Sequence, residues 1–269
     1  MEVSSQRPGS RGSEEQLVGV ANLTGVLRDS WRLYRKSFRG LFTLFAPGMA
    51  LVFIAGSLWV LIAPNVDVPL LFQAGSIFWF LLMPSLIGSA LILAAQVLMA
   101  KGLVGKETSP RRALSALRRD VPSVLQCVLL ASTGAMFFGV LRPLSLIFFV
   151  WWGPPMIGTT VVLENQPFPD AWTQARGRAR GNLGRVIGTL LLVALILSIL
   201  GFSLVFPVLF ALSAVAQTLF IILIFATVSA LVLPFMAAVE LRLYFDVRAR
   251  ADEAFGLDLL REDLAPHTD

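Results

Sequence analysis

The chain has 269 residues, of which 14% are charged and 56% hydrophobic, whereas soluble domains carry about 25% charged residues. Several apolar runs reach the roughly 20 residues that a bilayer-spanning helix needs, and runs such as LLLVALILSIL lack the alternation of a transmembrane barrel strand. The formal charge is +5, but the basic residues lie between apolar runs, so membrane orientation explains them without nucleic acid.

Residues 1–21 are rich in Ser, Gly, Arg and Glu and are expected to form a disordered tail. A single membrane domain is expected over 22–250, followed by an acidic tail over 251–269. In NLTGVLRDSWRLYRKSFRG (22–40), Leu27, Trp31, Tyr34 and Phe38 recur at helical spacing, with arginines over much of the remainder. This predicts an amphipathic helix in the interface plane. The first apolar run starts near Leu41, too far in and too long for a cleaved signal peptide.

Six spanning helices are expected, at about 41–63, 76–100, 121–141, 144–163, 186–206 and 218–240. Pro47, Pro84 and Pro234 fall within the first, second and last, and WWGPP at 151–155 should kink or break the fourth. Trp59 and Trp79 suit an outer aromatic belt. Outer turns are expected at 64–75, at Arg142-Pro143 and at Pro207. RRALSALRRDV (111–121) and ENQPFPDAWTQARGRARGNLGRV (164–186) read as further basic surface helices joining one hairpin to the next. The last helix is expected to continue through ELRLYFDVRARADE.

With this partition, 21 of the 22 Lys and Arg fall on one side and Arg142 alone on the other. Both termini are then cytoplasmic. The fold class is therefore an all-α polytopic membrane protein: three transmembrane hairpins, each preceded by a basic amphipathic surface helix on the cytoplasmic side. The three seams resemble one another weakly, so the units can be read as a parallel repeat or as chance likeness of short basic segments. Arg outnumbers Lys by 19 to 3, which points to a GC-rich bacterial genome and the bacterial cytoplasmic membrane.

No catalytic, metal or cofactor constellation is legible. The one cysteine, Cys127, lies in an apolar run and reads as a packing residue, and the one histidine, His267, is in the tail. Ionisable residues inside a span mark function by default. Here Glu164 and Glu240 stand at inner helix ends. They either pair with arginine at the water boundary, with Arg242 close to Glu240 and Asp246 one turn further, or face one inward cavity that binds a cation or proton. Arg176, Arg178, Arg180 and Arg185 either set topology alone or contact anionic lipid headgroups.

The run VVLENQPFPDAWTQARGRARGNLGRVIG, with ELRLYFDVRARADEAFGLDLL after one hairpin, resembles bacterial membrane proteins of the glycerophosphodiester phosphodiesterase membrane domain family. The features that carry this are Glu164, Ala171-Trp172, Arg176, Gly184 to Val186, Tyr244, Asp246, Arg248, Arg250 and Asp258, over about 160–260. DSWRLYRKSF near the start fits more loosely, and Phe255-Gly256 departs slightly from the pattern. The family's hydrolases carry their metal-binding acids and paired histidines on a separate soluble barrel. The resemblance thus implies the membrane module without that activity.

These readings lead to two functional expectations. The first is a non-enzymatic scaffold or accessory, without cofactor, that contacts anionic lipid or an unidentified membrane-protein partner through its basic collar. The alternative is a transporter or permease for an amphiphile or small solute, with its Pro-interrupted helices as mobile elements.

Overall fold

The computed structural model describes residues 17–62, 82–106, 108–140, 156–205, 214–252 and 254–265. The regular elements among them are helices, without a strand: α1 (Leu23–Ile62), α2 (Met83–Leu103), α3 (Pro110–Ala116), α4 (Val121–Val140), α5 (Ile157–Glu164), α6 (Phe168–Ala179), α7 (Leu183–Val205), α8 (Ala214–Ala251) and α9 (Leu257–Asp263). Three are long and apolar enough to cross a membrane: Leu23–Trp59 of α1, all of α2, and Ile222–Ala251 of α8. Helices α4 and α7 stand where the third and fifth spans are expected. The expected outer turns at 64–75, Arg142-Pro143 and Pro207, together with Trp79 and WWGPP, lie outside the described residues.

The first surface helix and first span are not separate elements. α1 runs unbroken for 40 residues through Pro47, about 60 Å at 1.5 Å per residue and twice a bilayer core of roughly 30 Å. One buried stripe explains the continuity. Val26, Ser30, Leu33, Tyr34, Leu41, Leu44, Phe45, Met49 and Val52 are buried along it at helical spacing. Gly40 does not break the helix because its missing side chain admits Leu98 of α2, whose methyl lies 3.3 Å from where a Cβ would stand.

α1 packs most extensively against α8, and the two are antiparallel. Val26 clusters with Val239 and Leu243, while Trp31 and Tyr34 meet the Phe235 ring at 6.1 and 6.0 Å. α8 passes through Pro234 without ending. Next to α1, α2 runs antiparallel: Gly40 faces Leu98 and Gly48 faces Leu91. Pro84 belongs to the first turn of α2, where no intrahelical donor is lost. Cys127 is a buried packing residue beside Leu93, Val128, Ile157 and Val161.

These directions bring the charged parts of the chain to one end of the bundle, where short elements are built by capping. Ser109 Oγ accepts from Arg112 N at 3.3 Å to start α3, and Asp120 Oδ1 accepts from Ser123 N at 3.2 Å at the start of α4. α6 has Asp170 in its first turn and Arg176 and Arg178 in its last, matching the helix dipole. Gly181, with φ +88°, makes the turn into α7, a conformation that Gly adopts without strain.

Both expected tails are shorter than the sequence suggested. Leu17 and Val18 are buried, and Ala21 N donates to Asp246 Oδ1 at 2.7 Å. At the other end, α9 docks through Leu257, Leu260 and Leu264. In each case a short segment adds its apolar side chains to the main hydrophobic core.

A Cβ on Gly158 would stand 2.5 Å from a Leu93 methyl, whereas one on Gly177 would meet nothing within 4 Å. Gly158→Leu should therefore destabilise by about 1–3 kcal/mol through overpacking. Gly177→Ala should stabilise by up to about 1 kcal/mol through helix propensity. Urea unfolding of both variants in one detergent reads the contrast, and equal midpoints would refute the α2–α5 contact.

Candidate functional site

Eight consecutive residues of α8, Leu241 to Arg248, are all buried. A helix is enclosed on every side only when neighbours surround it. Here they include α1, the 17–21 strap, the α5–α6 region, α7 and α9. Four of the enclosed residues, Arg242, Tyr244, Asp246 and Arg248, are polar or charged. Burial of such groups is tolerated with partners, and the surrounding elements supply at least one to each, leaving both Nη atoms of Arg242 and Nε of Arg248 without a hydrogen bond among the described residues.

The first cluster joins α8 to α1, α7 and the strap. Arg242, with no exposed surface, directs Nε to Asp29 Oδ2 at 3.2 Å. Asp246, equally enclosed, lies 3.3 Å from Arg185 Nε and 3.3 Å from Arg250 Nε. The Ala21 peptide completes it. Its N–H donates to Asp246, and its carbonyl accepts from Arg185 Nη2 and from Arg250 Nη2. The strap is thus held at both backbone polar groups of one residue.

The second cluster joins α8 to α5, α6 and α9. Glu164 takes a two-pronged contact from Arg178, Nη1 to Oε1 at 2.5 Å and Nη2 to Oε2 at 3.1 Å. The Tyr244 hydroxyl donates to Glu164 Oε1 at 2.5 Å. Arg248 Nη1 donates in turn to the Tyr244 oxygen at 2.7 Å and to Asp263 Oδ2 at 2.6 Å. The Arg248 guanidinium also lies over the Phe255 ring, 4.4 Å from its centroid. Two acids, Glu164 and Asp263, here balance two arginines.

A third link contains no arginine. Gln96 of α2 donates from Nε2 to Glu240 Oε2 at 3.0 Å and accepts from Thr159 Oγ1 at 3.0 Å. Gln96 and Thr159 have no exposed surface. Glu240 has no basic partner among the described residues.

The structure therefore redistributes the expected pairs. Glu164 does pair with an arginine, but Glu240 does not meet Arg242. Residues two apart in a helix point to different faces, so Arg242 reaches α1 while Glu240 reaches α2. Glu164 is held by Arg178 and Tyr244, and Glu240 by Gln96. Of the four arginines of the 164–186 stretch, Arg178 and Arg185 are occupied internally, while Arg176 and Arg180 are exposed without acidic partners among the described residues. Asp29, Gln96, Thr159 and Asp263 were not singled out from sequence. The signals available were a lone acid within a basic helix and a lone amide within an apolar run. Among the described residues no three His, Cys, Asp or Glu side chains come together as ligands for one metal ion.

Both clusters act as fasteners: their carboxylates are covered by guanidinium, phenol and amide donors. The chain matches no protein-family model, no curated protein and no solved structure.

Removing the Asp246 carboxylate leaves Arg185 without its acid and the Ala21 N–H without its acceptor. Asp246→Ala should cost about 3–5 kcal/mol and open residues 17–21 to protease. Tyr244→Phe, which removes only the bridging hydroxyl, should cost about 1–3 kcal/mol and leave the strap protected. Thermal unfolding with limited proteolysis separates the two, and wild-type behaviour of Asp246→Ala would disprove the first cluster.

Proposed function

We propose that this chain is a non-enzymatic integral protein of the bacterial cytoplasmic membrane, a scaffold or accessory that contacts anionic lipid or a membrane-protein partner through a basic collar. In this reading six spans form three hairpins, and both termini lie on the cytoplasmic side. The chain is a membrane module akin to that of the glycerophosphodiester phosphodiesterase membrane domain family, as its likeness around Glu164, Arg176, Tyr244 and Asp246 suggests. It acts without the hydrolytic barrel.

The observation that carries the reading is a division of labour among the basic residues. Arg178, Arg185, Arg242, Arg248 and Arg250 are committed to acids within the fold. Arg28, Arg35, Arg39, Arg111, Arg112, Arg118, Arg176 and Arg180 are exposed and have no acidic partner among the described residues. Each basic residue near an anionic surface contributes about 1 kcal/mol, so this second group supports a headgroup-facing surface.

A transport reading keeps one specific support. Glu240 accepts from Gln96, which Thr159 holds in turn, with no basic partner beside it among the described residues, and such a group is costly unless it serves a function.

Arg176→Gln with Arg180→Gln should weaken the salt-sensitive preference for phosphatidylglycerol over phosphatidylcholine in nanodisc lipid exchange, without shifting the unfolding midpoint. Arg178→Gln should instead lower stability by about 1.5–3 kcal/mol, the value of a hydrogen bond to a charged group. An unchanged lipid preference in the double variant would remove the lipid-contact reading.

A further inference from the structure

A small cavity lies at the charged end, between the last turn of α2, the α3–α4 turn, the end of α5 and the residues that follow α9. Its volume is about 30 Å³, where one water needs roughly 10–15 Å³ on a comparable measure. The walls are apolar at Val97, Val161 and Leu163, and the charged groups lining it are Lys101, Arg119, Asp120 and Asp263.

The acids and the cations of this cavity are in different situations. Asp120 is engaged at the start of α4, accepting from Ser123 N at 3.2 Å. Asp263 is engaged with Arg248 at 2.6 Å. Lys101 and Arg119 both line the cavity and have no acidic partner among the described residues. Lys106 is itself fixed, donating from Nζ to the Leu264 carbonyl at 3.3 Å. Two cations without an acid of their own, Lys101 and Arg119, thus face a cavity whose two acids already have donors, so an anion is the partner these two cations lack. The apolar walls and the position at the end of a candidate membrane span favour an anion with a non-polar body.

We infer that this cavity receives the phosphoryl group of an anionic amphiphile, with Lys101 and Arg119 as its ligands. The inference deepens the anionic-lipid reading and rests on it, but it assigns one bound molecule to one cavity, where the collar makes many exchangeable contacts. The same chemistry would hold a free phosphate, and the test separates the two sources.

The full chain in nanodiscs, extracted at raised salt, is examined by native mass spectrometry with phosphatidate or phosphatidylcholine present. One retained phosphatidate per chain is expected, with about tenfold less retention in Lys101→Gln/Arg119→Gln and wild-type retention in Gly177→Ala, while Arg176→Gln/Arg180→Gln serves as the collar variant. Displacement by millimolar inorganic phosphate assigns the cavity to a soluble phosphate; resistance to it assigns a lipid. Equal retention of both lipids, or full retention in the Lys101/Arg119 variant, overturns the inference. If the collar variant alone loses lipid, the collar reading stands and the cavity assignment fails. A second measurement needs no variant. Lys36, Lys101 and Lys106 are the lysines of the chain, and phosphatidate should slow acetylation of Lys101 relative to Lys36. Equal rates with and without it would likewise overturn the assignment.

Discussion

The structure turns on the enclosure of one polar stretch of helix. From Leu241 to Arg248, α8 is buried at every position, yet it carries two arginines, an aspartate and a tyrosine. A buried ion without a partner is among the most costly features a fold can contain. Each element around α8 therefore brings a complementary group: Asp29 from α1, Arg185 from α7, Glu164 from α5, Asp263 from α9 and the Ala21 peptide from the strap. The contacts that stop these charges from destabilising the chain also fix which helix lies beside which.

The apolar part of the bundle is governed by a different rule. In hydrocarbon, lipid tails solvate side chains as well as other helices do, so close packing drives association. Gly48 and Gly158 let Leu91 and Leu93 of α2 approach to distances that a side chain would prevent. Glycine contacts thus set helix spacing within the apolar region, while ion pairs set it at the charged end. α1 and α8 take part in both, and each is far longer than one bilayer crossing requires.

Much of the helical order was legible from sequence because apolar runs and their breakers act locally. The α6 surface helix announces itself by Pro near the start and arginine near the end, and α3 by Pro110 followed at once by two arginines. The continuity of α1 was not legible. A basic, aromatic half followed by Gly40 reads as a boundary, and only Leu98 from another helix shows why the chain does not bend there. Partner choice in the charged clusters was hidden for the same reason. Arg242 lies two residues from Glu240 in sequence but faces Asp29, more than two hundred positions away. The burial of Leu17, Val18 and the α9 leucines was not legible, because so few apolar residues form no pattern before the core they join is known.

The internal pairing gives the remaining basic residues their meaning. Arginines that hold the fold are occupied, and in the proposed function those left exposed are the ones that would meet a headgroup or partner. That account stands or falls on whether the enclosed charges truly couple the long helices. A double-mutant cycle of Asp29→Asn and Arg242→Leu, measured as unfolding free energy in one detergent, tests it most directly. A coupling of about 1–3 kcal/mol is predicted, with the double variant more stable than the sum of the single losses implies. A coupling of zero would contradict the account, because α1 and α8 would then be joined by their apolar faces alone.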